Sequence, residues 1–233
     1  MATGEHWKSA ALVEKYLTGI RAAIPLASEQ IGLMVRLIAA TGVAVRRTLD
    51  LGCGNGILST AILTRYPGVE QTLVDFSEPM LEQARAALPD ATVLHGDLSD
   101  PAWREGVRGP FDAVVSGLAI HHLPDERKRA LYAEIFELLA PGAIFVHIEH
   151  IASASPWLEK LWNDTLIDAI HASQAGKTRE EVATEYVNRP DKEDNVHTSV
   201  EAQCQWLREI GYTDVDVYMR FLELGVFGGR RPA

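Results

Sequence analysis

Short apolar runs alternate along the chain with longer segments in which apolar residues recur every three to four positions. The short runs predict buried strands, because turn residues bound each of them. They lie at about 47–51, 70–75, 92–95, 111–116 and 143–148. The intervening segments predict amphipathic helices, at 57–66, 78–87 and 125–140. Strands that alternate with helices in this way are typical of an α/β fold with a parallel sheet.

The pattern changes at both ends of this alternating region. Two helical segments, 5–19 and 26–41, precede the first strand, and the helices 156–174 and 179–187 follow the fifth. Thr198 to Glu201 predicts a capping box that opens a last helix. We expect one domain, 1–233, with four parts. They are N-terminal cap helices (1–44), a core (45–150), a helical lid (151–197), and a last helix with two short strands at about 215–221 and 222–227 (198–233).

Composition narrows the class of protein. A length of 233 residues suits one α/β domain, and a formal net charge of −10 argues against a nucleic-acid partner. Cys53 and Cys204 show no pairing pattern, which favours a reducing, cytoplasmic setting without a thiolate metal site. We expect no membrane partner, since no apolar stretch is long enough to span a bilayer.

A glycine-rich turn joins the first strand to the next helix. Gly52, Gly54 and Gly56 remove three Cβ atoms, so the backbone can adopt positive φ angles and approach a ligand closely. The free N–H groups of the following helix point to the same place. The second strand ends in Asp75, where a carboxylate is placed to bind the two hydroxyls of a ribose.

The segment Leu49-Asp50-Leu51-Gly52-Cys53-Gly54-Asn55-Gly56 resembles the first motif of the class I S-adenosylmethionine-dependent methyltransferases. Four further stretches follow in the order of that family, at 73–77, 95–98, 111–116 and 139–143. The resemblance covers about 45–150. It implies a Rossmann-like, seven-stranded, mostly parallel sheet completed by a C-terminal antiparallel hairpin, with S-adenosyl-L-methionine as the cofactor.

The resemblance also implies which residues contact the cofactor. Asp97 would accept a hydrogen bond from the adenine amino group, although a helix cap is an alternative role for it. Leu98 would donate its backbone N–H to the adenine ring, and Phe76 would flank that ring. The full expected set is Asp50, Gly52, Cys53, Gly54, Asn55, Gly56, Asp75, Phe76, Met80, Asp97, Leu98, Ser116, Leu118 and His121.

Two candidate catalytic residues follow strands four and five. His121 is expected to take the proton of the acceptor as the methyl group transfers, or else to order its loop. Glu149 is expected to orient the acceptor. A metal site built from His147 or His150 with Glu149 and His121 is not favoured, because residues 147 and 149 share one strand face while 148 and 150 share the other. The sequence also has no helical i, i+4 histidine pair or second ligand cluster. We therefore predict no metal.

The predicted acceptor is a small molecule that receives the methyl group by in-line transfer. The candidate acceptor contacts, each with ordinary packing as an alternative, are Trp7, Tyr16, His150, Trp157, Trp162, Tyr186 and Arg189. Arg189, upstream of the segment 196–201, also resembles the arginine that holds the cofactor's carboxylate in carboxy-S-adenosylmethionine synthases, which is a second hypothesis. A cofactor-binding regulator without transfer activity is a third. The apolar residues of the predicted lid allow a homodimer but do not require one.

Overall fold

The described part of the chain covers most of the protein. In a computed structural model it comprises Ser9 and residues 13–14, 23–174, 176–189, 192 and 194–233. Trp7 and Tyr16, two candidate acceptor contacts, lie outside the described residues, as does most of the predicted helix 5–19. Within the described residues, no helix is long and apolar enough to cross a membrane.

The described part of the chain contains seven strands and seven α-helices. The strands are β1 (Arg47–Leu51), β2 (Glu70–Asp75), β3 (Thr92–His95), β4 (Phe111–Gly117), β5 (Leu139–His150), β6 (Thr213–Phe221) and β7 (Leu224–Arg230). The helices are α1 (Ala27–Ala40), α2 (Ile57–Arg65), α3 (Glu78–Ala87), α4 (Asp125–Leu138), α5 (Pro156–Ser173), α6 (Arg179–Val187) and α7 (Val200–Ile210).

The strands form one sheet in the order β3-β2-β1-β4-β5-β7-β6. Strands β1 to β5 run parallel, whereas β7 pairs antiparallel with both β5 and β6. The predicted seven-stranded sheet with its C-terminal hairpin is therefore confirmed. The order reverses between β1 and β4, so the carboxyl ends of these two strands border the crevice where such sheets bind ligands.

Apolar side chains cover both faces of the sheet. On one face, Leu131 of α4 and Leu207 of α7 are fully buried in a cluster with Phe145 and Phe227 of the sheet. On the other face, α1 and α2 bury their apolar sides against β4 and β5. Each such side chain contributes roughly 1.5–3 kcal/mol when it is fully buried, so these two layers fix the strands that position the site.

A third apolar cluster lies at the carboxyl ends of the strands. Trp162 and Leu166 of α5 and Tyr186 of α6 pack there with Leu224, the first residue of β7. Leu118, which follows β4, is partly buried against the same cluster. The helices α5 and α6, which lie within the predicted lid, are therefore anchored next to the end of β4.

The start of α7 differs from its prediction. Ser199, rather than Thr198, is the N-cap and accepts a hydrogen bond from the backbone N–H of Ala202 at 3.2 Å. Thr198 instead donates its hydroxyl to Asp125 and accepts from the ammonium of Lys128. The predicted capping box at Thr198 is wrong because contacts with α4 use the threonine side chain.

Candidate functional site

The glycine turn after β1 packs against the loop after β4. Gly52, Gly54 and Gly56 have φ angles of +62°, +54° and +79°. A Cβ atom on Gly52 would lie 2.2 Å from the Cβ of Ala119, which is far inside van der Waals contact. The turn therefore needs glycine both for its backbone conformation and for its close approach to the β4 loop.

Asp75 fixes the shape of this turn from the end of β2. Its carboxylate is buried and accepts hydrogen bonds from the backbone N–H groups of Gly54 and Ser77, each at 2.8 Å. Burial raises the pKa of Asp75, and the hydrogen bonds from the backbone oppose that rise. The carboxylate is thus held rigidly between the glycine turn and the start of α3.

Two other residues of the predicted cofactor set make contacts inside the fold. Asp50 accepts a hydrogen bond from the Ser59 hydroxyl at 2.7 Å. Ser116 is fully buried and donates its hydroxyl to the backbone carbonyl of Leu51, also at 2.7 Å. Both side chains therefore support the strands beneath the turn.

The remaining residues predicted around the turn differ in exposure. Cys53 and Met80 are buried, and burial, together with the charges of Asp50 and Asp75, raises the pKa of the Cys53 thiol. The Met80 sulfur would lie 3.8 Å from a Cβ atom on Gly54. Among these remaining residues, Asn55, Phe76 and Leu118 are half-buried.

The end of β3 is held in part by Arg127 and Glu134 of α4, which the sequence did not predict for the site. Asp97 is exposed and accepts the backbone N–H of Ser99 at 2.8 Å, so its carboxylate shapes the turn. The carbonyl of Leu98 accepts from the guanidinium Nε of Arg127 at 2.7 Å. Arg127 also binds both carboxylate oxygens of Glu134, at 2.8 and 2.7 Å.

The Arg127–Glu134 pair is less exposed than its position on α4 indicates. Helical spacing places both residues on the solvent face of α4, yet their side chains are only 10% and 16% exposed. The indole N–H of Trp103 also donates to Glu134, at 2.6 Å. The helix periodicity alone misses the pair, because a partner from the β3 loop covers this part of the helix.

The second half of the site is centred on His121 and Glu149. The Nδ1 atom of His121 lies 2.5 Å from Oε1 of Glu149, and the backbone N–H of His121 donates to Oε2 at 3.0 Å. Burial alone would raise the pKa of Glu149, but the charges and hydrogen bonds of His121 and His147 hold it well below its usual range. The carboxylate is therefore ionised, and Nδ1 of His121 carries the proton that it accepts.

This contact leaves the other ring nitrogen of His121 available. Burial lowers the pKa of His121, and the attraction of Glu149 opposes that shift. The imidazole is therefore neutral at pH 7. Among the described residues, Nε2 of His121 makes no hydrogen bond, so it can accept a proton from a molecule at the end of β4.

Glu149 belongs to a longer buried network. The Nε2 atom of His147 lies 2.8 Å from Oε2 of Glu149, on the shared strand face that the alternation of β5 predicts. The Tyr132 hydroxyl lies 3.3 Å from Nδ1 of His147 and donates to Gln203 at 2.5 Å. Strand β5 and helices α4 and α7 thus hold Glu149 in one orientation, a role that the sequence did not predict for Tyr132 or Gln203.

A second group of polar side chains lies beside His121. The Nε2 atom of His150 is 2.7 Å from Oε2 of Glu223, and the Ser153 hydroxyl donates to the other oxygen of that carboxylate. The ring of His197 lies 3.9 Å from the ring of His150, centroid to centroid. Burial lowers the pKa of His150 to about 4. The sequence predicted His150 alone, because His197 and Glu223 come from distant segments.

The other candidate acceptor contacts differ in their burial and in their distance from His150. Trp162 is buried, and its ring centroid lies 5.5 Å from that of His150. The guanidinium of Arg189 lies 4.6 Å from the centre of the buried Tyr186 ring. Trp157 is 70% exposed on α5. The structure thus places Trp162 beside the polar side chains around His150, whereas Trp157 faces away from the core.

The sheet order, the glycine turn and Asp75 define the Rossmann-like fold of class I methyltransferases. Residues 48–142 match the model of a family described as a methyltransferase domain. The resemblance predicted from the sequence is therefore confirmed.

Individual proteins are similar to parts of this chain. An uncharacterized methyltransferase of Mycobacterium tuberculosis is 36% identical over 96 residues, which cover 40% of this chain and 45% of the relative. A carboxy-S-adenosyl-L-methionine synthase of Chromohalobacter salexigens is 28% identical over 185 residues, 74% of this chain and 64% of the synthase. The matched segments thus span less than two thirds of these curated relatives. The solved structure "PigF with SAH" shows the same fold, with a TM-score of 0.64 and 17% identity over 99% of this chain and 62% of PigF.

Proposed function

We propose that the protein transfers a methyl group from S-adenosyl-L-methionine to a small-molecule acceptor. One observation carries the proposal: the Glu149-oriented His121 lies just after Ala119, the residue against which Gly52 packs. A general base thus stands beside a nucleotide-binding turn. The net charge of −10 favours a small acceptor over a nucleic acid.

The cofactor is assigned to the β1–β2 side of the crevice. Asp75 would bind the ribose hydroxyls with the carboxylate lone pairs that Gly54 and Ser77 leave available. The backbone N–H of Leu98 would donate to the adenine ring. The glycine turn would contact the remainder of the cofactor through its backbone, since Gly52, Gly54 and Gly56 carry no side chains.

The acceptor is assigned to the β4–β5 side, where His121 removes its proton. In the transfer step, a lone pair on the acceptor heteroatom forms the new bond to the methyl carbon. The bond from that carbon to sulfur breaks, and its electron pair stays on sulfur to give S-adenosylhomocysteine. The acceptor proton passes to Nε2 of His121, and the ionised Glu149 stabilises the resulting imidazolium.

The helices α5 and α6 would close this side of the crevice as a lid. Their apolar cluster packs against Leu118 and Leu224, which places them next to the ends of β4 and β7. Exclusion of water and correct alignment supply most of what a sulfonium methyl transfer needs.

Conversion of the cofactor by a carboxy-S-adenosylmethionine synthase reaction is the second candidate. The similarity to the Chromohalobacter salexigens synthase extends over 74% of this chain, well beyond the methyltransferase-domain segment. In that case Arg189 would pair with a carboxylate on the modified cofactor through its guanidinium.

Native mass spectrometry, with titration calorimetry on the same sample, tests the proposal. Bound S-adenosylmethionine or S-adenosylhomocysteine is expected, whereas a carboxylated cofactor would favour the synthase. Asp75→Asn should weaken binding of S-adenosylmethionine roughly 5- to 150-fold, the equivalent of about 1–3 kcal/mol. Asp90→Asn, at an exposed position after α3, is the matched control and should leave the affinity unchanged. A wild-type protein that binds neither molecule would overturn the proposal.

A further inference from the structure

Three side chains from separate segments converge beside His121. They are His150 at the end of β5, His197 before α7 and Glu223 between β6 and β7. We propose that they bind one divalent transition-metal ion, and that this ion also coordinates the acceptor. The second part rests on the proposed methyl transfer, whereas the first part does not.

The distances suit a shared ion. One nitrogen from each imidazole and one carboxylate oxygen all lie within 4.8 Å of one another. Metal–ligand bonds of about 2.0–2.2 Å place neighbouring donors roughly 3–3.5 Å apart. The His150–Glu223 pair is already closer than this, at 2.7 Å, so binding requires that pair to separate slightly and His197 to move inward. Because His197 is exposed on a loop, that movement is available to it.

The donor set defines the class of metal. Two imidazole nitrogens and one carboxylate oxygen suit Zn²⁺ and other first-row divalent ions, whereas Mg²⁺ and Ca²⁺ prefer oxygen ligands alone. Three protein ligands leave at least one coordination position for another molecule, as in catalytic zinc sites. The site therefore suits a bound substrate better than a closed structural role.

The surroundings of the cluster support a ligand site. The hydroxyl of Ser153 donates to Glu223 and orients its carboxylate, as second partners of metal ligands usually do. The Trp162 ring lies 5.5 Å from the ring of His150. Its buried indole N–H has no hydrogen-bond acceptor within the part of the chain that the structure describes. A buried N–H group of this kind normally has a hydrogen-bond partner. An anionic molecule bound to the metal would accept the hydrogen bond of the indole.

The position of the cluster links it to the acceptor. The ring centroid of His121 lies 5.8 Å from that of His150 and 6.0 Å from that of His197. A heteroatom on the metal would therefore sit near the proposed base. A divalent ion binds anionic oxygen and sulfur atoms, and it lowers the pKa of a hydroxyl or thiol that coordinates it. The site therefore selects methyl acceptors with a hydroxyl, thiol or carboxylate next to the methylated atom.

Metal binding is measured on the full chain after removal of any histidine tag and treatment with a chelator. Zn²⁺ is titrated by calorimetry, and the ion retained after dialysis is counted by plasma mass spectrometry. We expect one ion per wild-type chain. His197→Ala and Glu223→Gln should each bind Zn²⁺ at least tenfold more weakly. The control His171→Ala, which removes an exposed imidazole of α5, should match the wild type.

The affinity of each variant for S-adenosylmethionine separates loss of the site from loss of the fold. Unchanged cofactor binding with weakened Zn²⁺ binding supports the proposal. Wild-type protein that retains no stoichiometric Zn²⁺, or variants that bind it as tightly as the wild type, would overturn the site. Zn²⁺ binding without any S-adenosylmethionine binding would instead leave the site standing and remove the proposed transferase function.

Discussion

The two halves of the crevice are built in different ways. On the β1–β2 side, backbone groups form the surface: the turn at Gly52 to Gly56 is held by the carboxylate of Asp75. On the β4–β5 side, side chains form it: His121 is fixed by Glu149, which contacts His147 of the same strand. The first half comes from one continuous segment of the chain, whereas the second is assembled from segments far apart in sequence.

This difference predicts different kinds of sensitivity. A backbone surface tolerates no added side chain, because the atoms that would be displaced belong to the main chain or to a packed neighbour. A buried polar network tolerates no lost partner, since each remaining group keeps its desolvation cost without its hydrogen bond. Substitutions that add atoms in one half and remove a charge in the other test this contrast.

The largest effect is expected for Glu149→Ala. The substitution removes a fully buried carboxylate and leaves His121 and His147 without their shared acceptor. We expect the free energy of unfolding to fall by about 3–5 kcal/mol, as for other broken buried pairs. Urea denaturation at pH 7 measures it. Glu209→Ala, which removes an exposed partner of Arg129, should cost no more than about 1 kcal/mol. If Glu149→Ala lowered the free energy of unfolding as little as the control does, the buried hydrogen-bond network would not stabilise the fold.

A somewhat smaller effect is expected for Gly52→Ala. The new Cβ atom would collide with Ala119, and the φ angle of +62° is strained for alanine. Together, the collision and the strain should lower the free energy of unfolding by about 2–4 kcal/mol. They should also weaken binding of S-adenosylmethionine. Gly68→Ala is the control, because its φ is also positive, at +87°, but its Cβ would meet open space. Equal losses in the two variants, measured by urea denaturation, would show that backbone strain alone matters and that the close approach to Ala119 does not.

The same contrast explains how much the sequence predicts. The bounds of β1 and β2 match the prediction because turn residues and a change of hydrophobic period mark both ends of each strand. The glycine turn and Asp75 are likewise predictable, since glycine at these positions has a local conformational reason. The α/β class follows from the order of strands and helices, whereas the seven-stranded sheet with its hairpin was predicted from the resemblance to class I methyltransferases.

The second half of the site was predicted only in part. His121 and Glu149 were predicted because each lies near the carboxyl end of a predicted strand, but their direct contact depends on the pairing of β4 with β5. Tyr132 and Gln203 look like ordinary helix residues until α4 and α7 pack together. The expectation of no metal weighed His121, His147, Glu149 and His150, and the sequence pattern could not show that the β6–β7 hairpin brings Glu223 to His150. Periodicity describes one element at a time, whereas these contacts join several.

One contact crosses this division between local and distant construction. The end of β3, assigned to the cofactor's adenine, is held by Arg127 and Glu134 from α4. Burial alone would raise the pKa of Glu134, but hydrogen bonds from Arg127 and Trp103 and the charge of Arg127 lower it. The backbone half of the crevice therefore also depends on a pair of partly buried charges.

The smallest change in stability is expected for Glu134→Gln. Its variation with pH tests whether the charge of Glu134 stabilises the end of β3. Because the folded protein holds this carboxyl ionised at a lower pKa than the unfolded chain, its stabilisation is present above a pH of about 4.3 and is lost as pH falls through the folded pKa. The variant should be about 2 kcal/mol less stable than the wild type at pH 7, and the difference should shrink steadily below a pH of about 4. Urea denaturation over a pH series measures it, with Glu137→Gln as the control, since that exposed side chain of the same helix contacts only Arg104 among the ion pairs of the described residues. A difference that persists unchanged in acid would mean that Glu134 acts through its packing, and the charged pair would then have no part in holding Leu98.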